Sequence, residues 1–227
     1  MKIHILTLFP EMFQGPLSES IIKRAIEKGV VSIVYHNLRD FAEDKHLTVD
    51  DTPCGGGAGM VLKVDVMDRA IEAVTEGHRD KYHKVLMTPQ GLTFDQAKAH
   101  ELSQVEDILL ICGHYEGFDE RIRDHLVDEE ISMGDFVLSG GEIPAMAIVD
   151  SVVRLIPGAL GHIESTHEES FNLKDENGDL LLEYPIYTRP IDYKGWTVPE
   201  ELLSGNHAKI ETWRLEQAKR KTKERRG

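Results

Sequence analysis

Three observations predict an α/β fold, a mostly parallel sheet with helices on both faces. Over residues 1–160, short apolar runs alternate with segments of helical period, the signature of repeated βαβ units. The run 107–112 (DILLIC) is apolar enough to be a buried strand. The 227 residues, 41% hydrophobic and 29% charged, suffice for a substantial core without disulfide or metal support.

The elements follow in order. Residues 2–9 form a first strand, ended by Pro10. Ile21, Ile22, Ala25 and Ile26 place a helix over 18–28, and Gly29 stops it. The β-branched run 30–35 is a second strand, and the polar, Gly-rich stretch 40–59 is a loop. Val66, Ala70, Ile71 and Val74 share one face of a helix over 65–74. Residues 84–88 form a strand running into Pro89-Gln90-Gly91. A helix over 94–102 has Asp95 near its start, and strand 107–112 ends at Gly113. A short helix over 118–125 and a brief strand over 136–138 precede Ser139-Gly140-Gly141. The strongest helix is 143–156, with Pro144 in its first turn and Pro157-Gly158 at its end. Residues 161–201 then hold ten acidic residues, six prolines or glycines and little periodicity, so they read as exposed and irregular. A last helix begins near Asn206, its N-cap, with Ile210 and Trp213 as docking residues.

The formal net charge is −14, and an average field of that sign repels phosphate. The charge is uneven. Residues 206–227 carry eight basic and three acidic side chains, +5; the rest carry 18 and 37, or −19. A basic end also suits the helix dipole, so a solvated helix terminus and a phosphate-binding tail both remain open. Cys54 and Cys112 form no Cys-x-x-Cys pair, which excludes a Cys-rich zinc site and a disulfide framework and fits a reducing cytosol. No run of 18 apolar residues exists, so no membrane span is expected; MKIHILTLFPEMF reads as a strand, not a signal peptide.

Open α/β sheets bind ligands beyond the carboxyl ends of their strands. Three glycine-bearing loops follow predicted strands here: Thr88-Pro89-Gln90-Gly91, Cys112-Gly113-His114-Tyr115-Glu116-Gly117, and Ser132-Met133-Gly134-Asp135 continuing to Ser139-Gly140-Gly141-Glu142. Glycine lets backbone groups approach a ligand, and an aromatic such as Tyr115 suits an adenine ring. The run Gly55-Gly56-Gly57-Ala58-Gly59 fits neither a P-loop nor a dinucleotide fingerprint. Adjacent Glu168 and Glu169 point to opposite sides of an extended segment; one of them can serve as a general base. Arg154, late in an apolar helix, either caps that helix or meets an anion. His162, Glu164 and His167 match no common zinc spacing, so no metal ligand is assigned.

These three loops, with Tyr187-Thr188-Arg189-Pro190 and Leu202-Leu203-Ser204-Gly205-Asn206-His207, resemble the bacterial tRNA (guanine-N1)-methyltransferases, in order, from LFPEMF to the last helix. That family modifies the guanine beside the anticodon, tRNA position 37. The resemblance implies a SPOUT-type, trefoil-knotted parallel sheet and a small helical C-terminal domain. It divides the chain into a knotted S-adenosylmethionine-binding domain (1–160), a flexible linker (161–180) and a mainly helical tRNA-binding domain (181–227). It implies a cytoplasmic, obligate homodimer with active sites at the subunit interface, acting on tRNA.

The donor, S-adenosylmethionine, is then expected against Pro89, Gly113, Tyr115, Glu116, Met133, Gly134, Asp135, Phe136, Val137, Leu138, Gly140 and Gly141. By the same resemblance Glu169 is the base that takes the guanine N1 proton and Arg154 the cation that meets the charge developing at O6. Magnesium use is implied as well. Three departures from the family pattern stand out: Glu169 replaces Asp, His114 replaces Arg, and the stretch 172–179 is longer. A non-catalytic RNA-binding module with a degenerate donor pocket, and a hydrolase using Glu164, Glu168 and Glu169, are the competing readings.

Overall fold

The structure, a computed structural model, describes residues 1–160 and 169–226. The chain divides into two compact units, Met1–Gly161 and His162–Gly227.

In the first unit the elements are β1 (Lys2–Thr7), α1 (Ser20–Glu27), β2 (Ser32–Asn37), a short hairpin of β3 (Asp50–Asp51) and β4 (Val61–Leu62), α2 (Val64–Val74), β5 (His83–Thr93), α3 (Gln96–Leu102), β6 (Asp107–Cys112), α4 (Glu120–His125), β7 (Glu129–Ser132) and α5 (Glu142–Val153). Five strands form one all-parallel sheet in the order β2-β1-β6-β5-β7. Alternation along each strand sends side chains to opposite faces. Ile3, Ile5, Val85, Met87, Ile108 and Leu110 pack with α1 and α5, whereas Leu6, Leu86, Leu109 and Ile111 pack with α2 and α4. The predicted α/β class with helices on both faces is what forms.

Local chemistry sets the boundaries. Asp95 caps α3, its carboxylate accepting from the Lys98 N–H at 2.8 Å. Asp119 caps α4 in the same way through Arg121 N–H. α5 is apolar around most of its circumference and lies buried, with Pro144 in its first turn.

Two assignments are corrected. Residues 136–138 form no strand; they lie in an exposed loop, with Val137 82% exposed. The strand is β7 just before them, whose Glu129 and Glu130 broke the apolar pattern. These acids are held by partners: Glu129 by His83 at 2.6 Å and Lys98 at 3.0 Å, Glu130 by Arg123. Strand β5 also runs through Pro89-Gln90-Gly91. Its register to β7 jumps between Met87 and Leu92, so residues 88–91 form a large bulge that Pro89, which has no N–H, accommodates.

In the second unit β8 (Asp192–Tyr193) and β9 (Trp196–Thr197) form a tight hairpin, followed by α6 (Glu200–Leu203) and α7 (His207–Arg226). Asn206 caps α7 through the Lys209 N–H at 3.2 Å, as the sequence predicts. Within residues 169–181, Lys174 and Leu180 bridge around an Asp175-centred turn. The buried docking residue of α7 is Ala218; Ile210 and Trp213 are half-buried.

Candidate active site

The carboxyl ends of β5, β6 and β7 open into one cavity of about 310 Å³. Its walls are the β5 bulge, the loop after β6 and the segment from β7 into α5. Ten of the twelve residues expected at the donor lie on these walls: Pro89; Gly113, Tyr115 and Glu116; Met133; and Phe136, Val137, Leu138, Gly140 and Gly141. Gly134 and Asp135 do not line the cavity. Gly134 shapes the turn instead, donating its N–H to Ser132 Oγ at 3.1 Å and accepting from Phe136 N–H at 2.8 Å.

Glycine is required where the loops close on one another. A Cβ on Gly141 would fall 2.7 Å from Cys112 Cα and 2.9 Å from Gly113 N. The Gly141 N–H donates to the Gly113 carbonyl at 2.9 Å, fastening the start of α5 to the end of β6. The loop after β6 is also tied to β4. Glu116 N–H donates to Met60 C=O at 3.0 Å and Leu62 N–H to Gly117 C=O at 2.9 Å. Between these anchors Tyr115 takes a left-handed φ of +60°, uncommon for a side-chain-bearing residue, and remains 48% exposed at the cavity. The glycine run 55–59 ends against this loop: a Cβ on Gly59 would strike the Glu116 side chain.

Two polar clusters in the walls were not singled out from sequence. Arg123, from α4, binds Glu130 through both Nε and Nη2 and holds the Gln90 side-chain carbonyl. This fixes the bulge over the cavity. Glu142, 1% exposed in the first turn of α5, accepts from Thr7 Oγ1 at 2.6 Å and pairs with His114 Nε2 at 2.7 Å. The available signal was an acidic residue opening an otherwise apolar helix. Cys112 is not a nucleophile here: burial pushes its thiol well above the usual value, and Glu142 adds to the shift.

Arg154 occupies the C-cap of α5 and is half-buried; it does not line the cavity. Its position fits the helix-cap alternative and leaves the anion alternative open. Glu169 lies in the second unit, where its carbonyl accepts from Asn172 and Leu173 N–H, both at 3.1 Å. His162, Glu164, His167 and Glu168 lie outside the described residues. Among the described residues no group of three His, Cys, Asp or Glu is arranged to hold a metal ion, and no helix is long and apolar enough to cross a membrane.

The class of protein this defines is an open parallel α/β domain with a cavity at the carboxyl ends of three strands, the place where such sheets bind small molecules. Over residues 1–227 the chain matches the family model described as tRNA (Guanine-1)-methyltransferase TrmD, and it belongs to that family. Curated relatives named tRNA (guanine-N(1)-)-methyltransferase agree along the same length. The protein from Bacillus velezensis is 57% identical over 98% of this chain and 89% of its own. That from Brevibacillus brevis is 56% identical over 100% and 90%, and that from Dehalococcoides mccartyi 54% over 100% and 89%.

Proposed function

We propose that the chain transfers a methyl group from S-adenosylmethionine to N1 of the guanine at tRNA position 37. The observation that carries this reading is the cavity at the ends of β5, β6 and β7, walled by the loops the family resemblance assigns to the donor. The residues fit such a molecule. Glycines 113, 140 and 141 put bare backbone on the cavity wall, and Tyr115 offers an exposed ring. When bound, S-adenosylmethionine supplies an electrophilic methyl on a sulfonium.

The chain's own residues do the rest. Guanine N1 carries a proton and is a poor nucleophile until it leaves. Glu169 takes that proton, and the guanidinium of Arg154 meets the negative charge that then grows at O6. Holding the base in line with the methyl supplies much of the remaining acceleration. Exposed Phe136, Val137 and Ile143 beside the cavity mouth support a homodimer that covers them and shares active sites across its interface. The trefoil knot is proposed with the family's fold. In the second unit, Tyr193 and Trp196 project from the β8–β9 hairpin with Lys194 between them, chemistry suited to unpaired bases. The proposed cellular site is the cytoplasm. The described residues offer magnesium no ligand cluster, so no step is assigned to it.

Methyl transfer from labelled donor to tRNA, with and without a guanine beside the anticodon, tests the reading. Transfer is expected only with that guanine. Glu169→Gln should lower turnover by about 10²–10⁴-fold while donor affinity holds; unchanged turnover would assign the proton to another group. Arg154→Ala should lose turnover and remain a folded dimer, whereas loss of the dimer would assign Arg154 to the helix cap alone.

A further inference from the structure

A chain of buried polar contacts runs from the end of β1 to the cavity wall. Phe9 N–H donates to Thr7 Oγ1 at 2.9 Å, and the Thr7 hydroxyl donates to Glu142 Oε1 at 2.6 Å. The second Glu142 oxygen, Oε2, lies 2.7 Å from His114 Nε2. Thr7 is fully buried and Glu142 nearly so, while His114 lines the cavity. The Phe9 ring meets the His114 ring edge-on, with centroids 4.7 Å apart. Residue 140 must be glycine for this to exist: a Cβ there would fall 2.3 Å from His114 Nε2 and 2.6 Å from Glu142 Oε2.

The chemistry of the contacts fixes their sense. A carboxylate only accepts, and one of its oxygens already takes the Thr7 hydroxyl hydrogen. With Glu142 ionised, the bond at Oε2 takes a hydrogen from His114 Nε2 and orients the ring toward Glu142. Phe9 N–H in turn orients the Thr7 hydroxyl toward Glu142. Two side chains, from β1 and α5, thus hold the ring of the loop after β6 in one pose.

We infer that Thr7 and Glu142 are positioning residues for the methyl-donor pocket, acting through His114, which contacts the bound donor. This assignment rests on the reading that the cavity takes S-adenosylmethionine. Thr7 is remote from the cavity, so its effect on donor binding has to pass along the relay. A bond that merely stabilises the fold would change melting and leave donor affinity alone.

The test uses the full-length chain. S-adenosylmethionine affinity is measured by titration calorimetry, and His114 ring nitrogens by NMR on histidine-labelled protein. Unaltered protein should show a hydrogen on Nε2. Thr7→Val, which keeps the side chain's shape and deletes the hydroxyl, should weaken donor binding about tenfold. Turnover at saturating donor should fall far less, and Thr7→Ser should restore affinity. A Thr7→Val protein that melts lower but binds the donor as tightly as before would overturn the inference. Should Thr7→Val not fold, Glu142→Gln gives the same reading, and an unchanged donor affinity with an unchanged His114 spectrum would overturn it. If the unaltered chain binds no S-adenosylmethionine, the donor reading itself falls and takes the assignment with it; if it binds and Thr7→Val binds equally, the relay alone falls.

Discussion

The first unit sandwiches its sheet between two apolar layers, one built on α1 and α5 and the other on α2 and α4. In the second, Leu181 and Ala218 are the buried hydrophobic residues among those described. Other contacts do the holding there. Leu182 N–H donates to Thr222 Oγ1 at 2.8 Å and Lys221 Nζ to Glu183 C=O at 2.9 Å. Arg226 lies 4.7 Å over the Phe171 ring and Arg214 4.7 Å over Tyr184, while Lys219 pairs with Glu176. Burial of apolar area is not weakened by charge screening, whereas exposed ion pairs are. The contrast leaves the cavity in a unit held by apolar packing and gives the second unit contacts that salt can screen. Basic residues of α7 serve that unit's own fold.

Glycine substitutions in the two units should break differently. At Gly141 the added methyl meets backbone atoms on the end of β6, which cannot swing aside. Gly141→Ala should cost about 1–3 kcal/mol in stability and weaken donor binding at least about tenfold. Gly195, in the β8–β9 turn, has open space around it but a φ of +85°. Gly195→Ala should cost about 1–2 kcal/mol through conformation alone and leave donor binding intact. Thermal melts with donor titrations separate the two, and equal donor affinities would remove the contact argument at Gly141.

What the sequence made legible follows from how local its causes are. The strand 107–112 and the cap Asn206 depend on neighbours within a few residues and form as predicted, and Asp95, expected near the start of its helix, caps it. Strand β7 was not legible, because the ion pairs that permit Glu129 and Glu130 in a strand come from β5, α3 and α4. The three glycine-bearing segments of the cavity were legible, two of them after predicted strands, and they do converge. Arg123 over Gln90 and Glu142 beside Thr7 were not, being partners 33 and 135 residues apart. The reaction itself came from family resemblance, since loop composition names no substrate.

The first unit has a weak point of its own in acid. His4 and His36 stack with ring centroids 5.2 Å apart and share a hydrogen bond of 2.9 Å, beneath the edge of Tyr82. Burial lowers both from the usual histidine value; the neighbouring His4 lowers His36 further, and Asp107 partly opposes the shift at His4. The neutral rings are thus the folded forms. Their stability contribution is full above the unfolded value of about 6.5 and is lost as pH falls below it, because the unfolded chain then binds more protons. His83 has the opposite sign: its bond to Glu129 raises it, so its contribution is present at low pH and fades as pH rises through the folded value. Between pH 7 and 5 the pair lowers the melting temperature while His83 opposes it, so His36→Gln should raise the pH 5 melting temperature relative to that at pH 7 and change the slope. A slope identical in His36→Gln would clear the pair of responsibility.

The smallest effect concerns the end of α7, where the two roles of its basic residues can be separated. Lys221 and Arg226 are engaged within the second unit, whereas Lys223 and Arg225 are exposed in the last turn. Cutting the chain after Ala218 would remove both kinds at once and confuse lost folding with lost charge. Lys223→Gln with Arg225→Gln removes two positive charges and none of the contacts above. Each phosphate a cation neutralises contributes about 0.7–0.9 to the slope of log affinity against log salt. The double variant should therefore reduce that slope for tRNA by about 1–2, with donor affinity and melting unchanged. An unchanged slope would make the helix end a solvated terminus and leave phosphate contact to residues elsewhere. Lys221→Gln should instead lower the melting temperature of the second unit, because the ammonium it removes holds the Glu183 carbonyl.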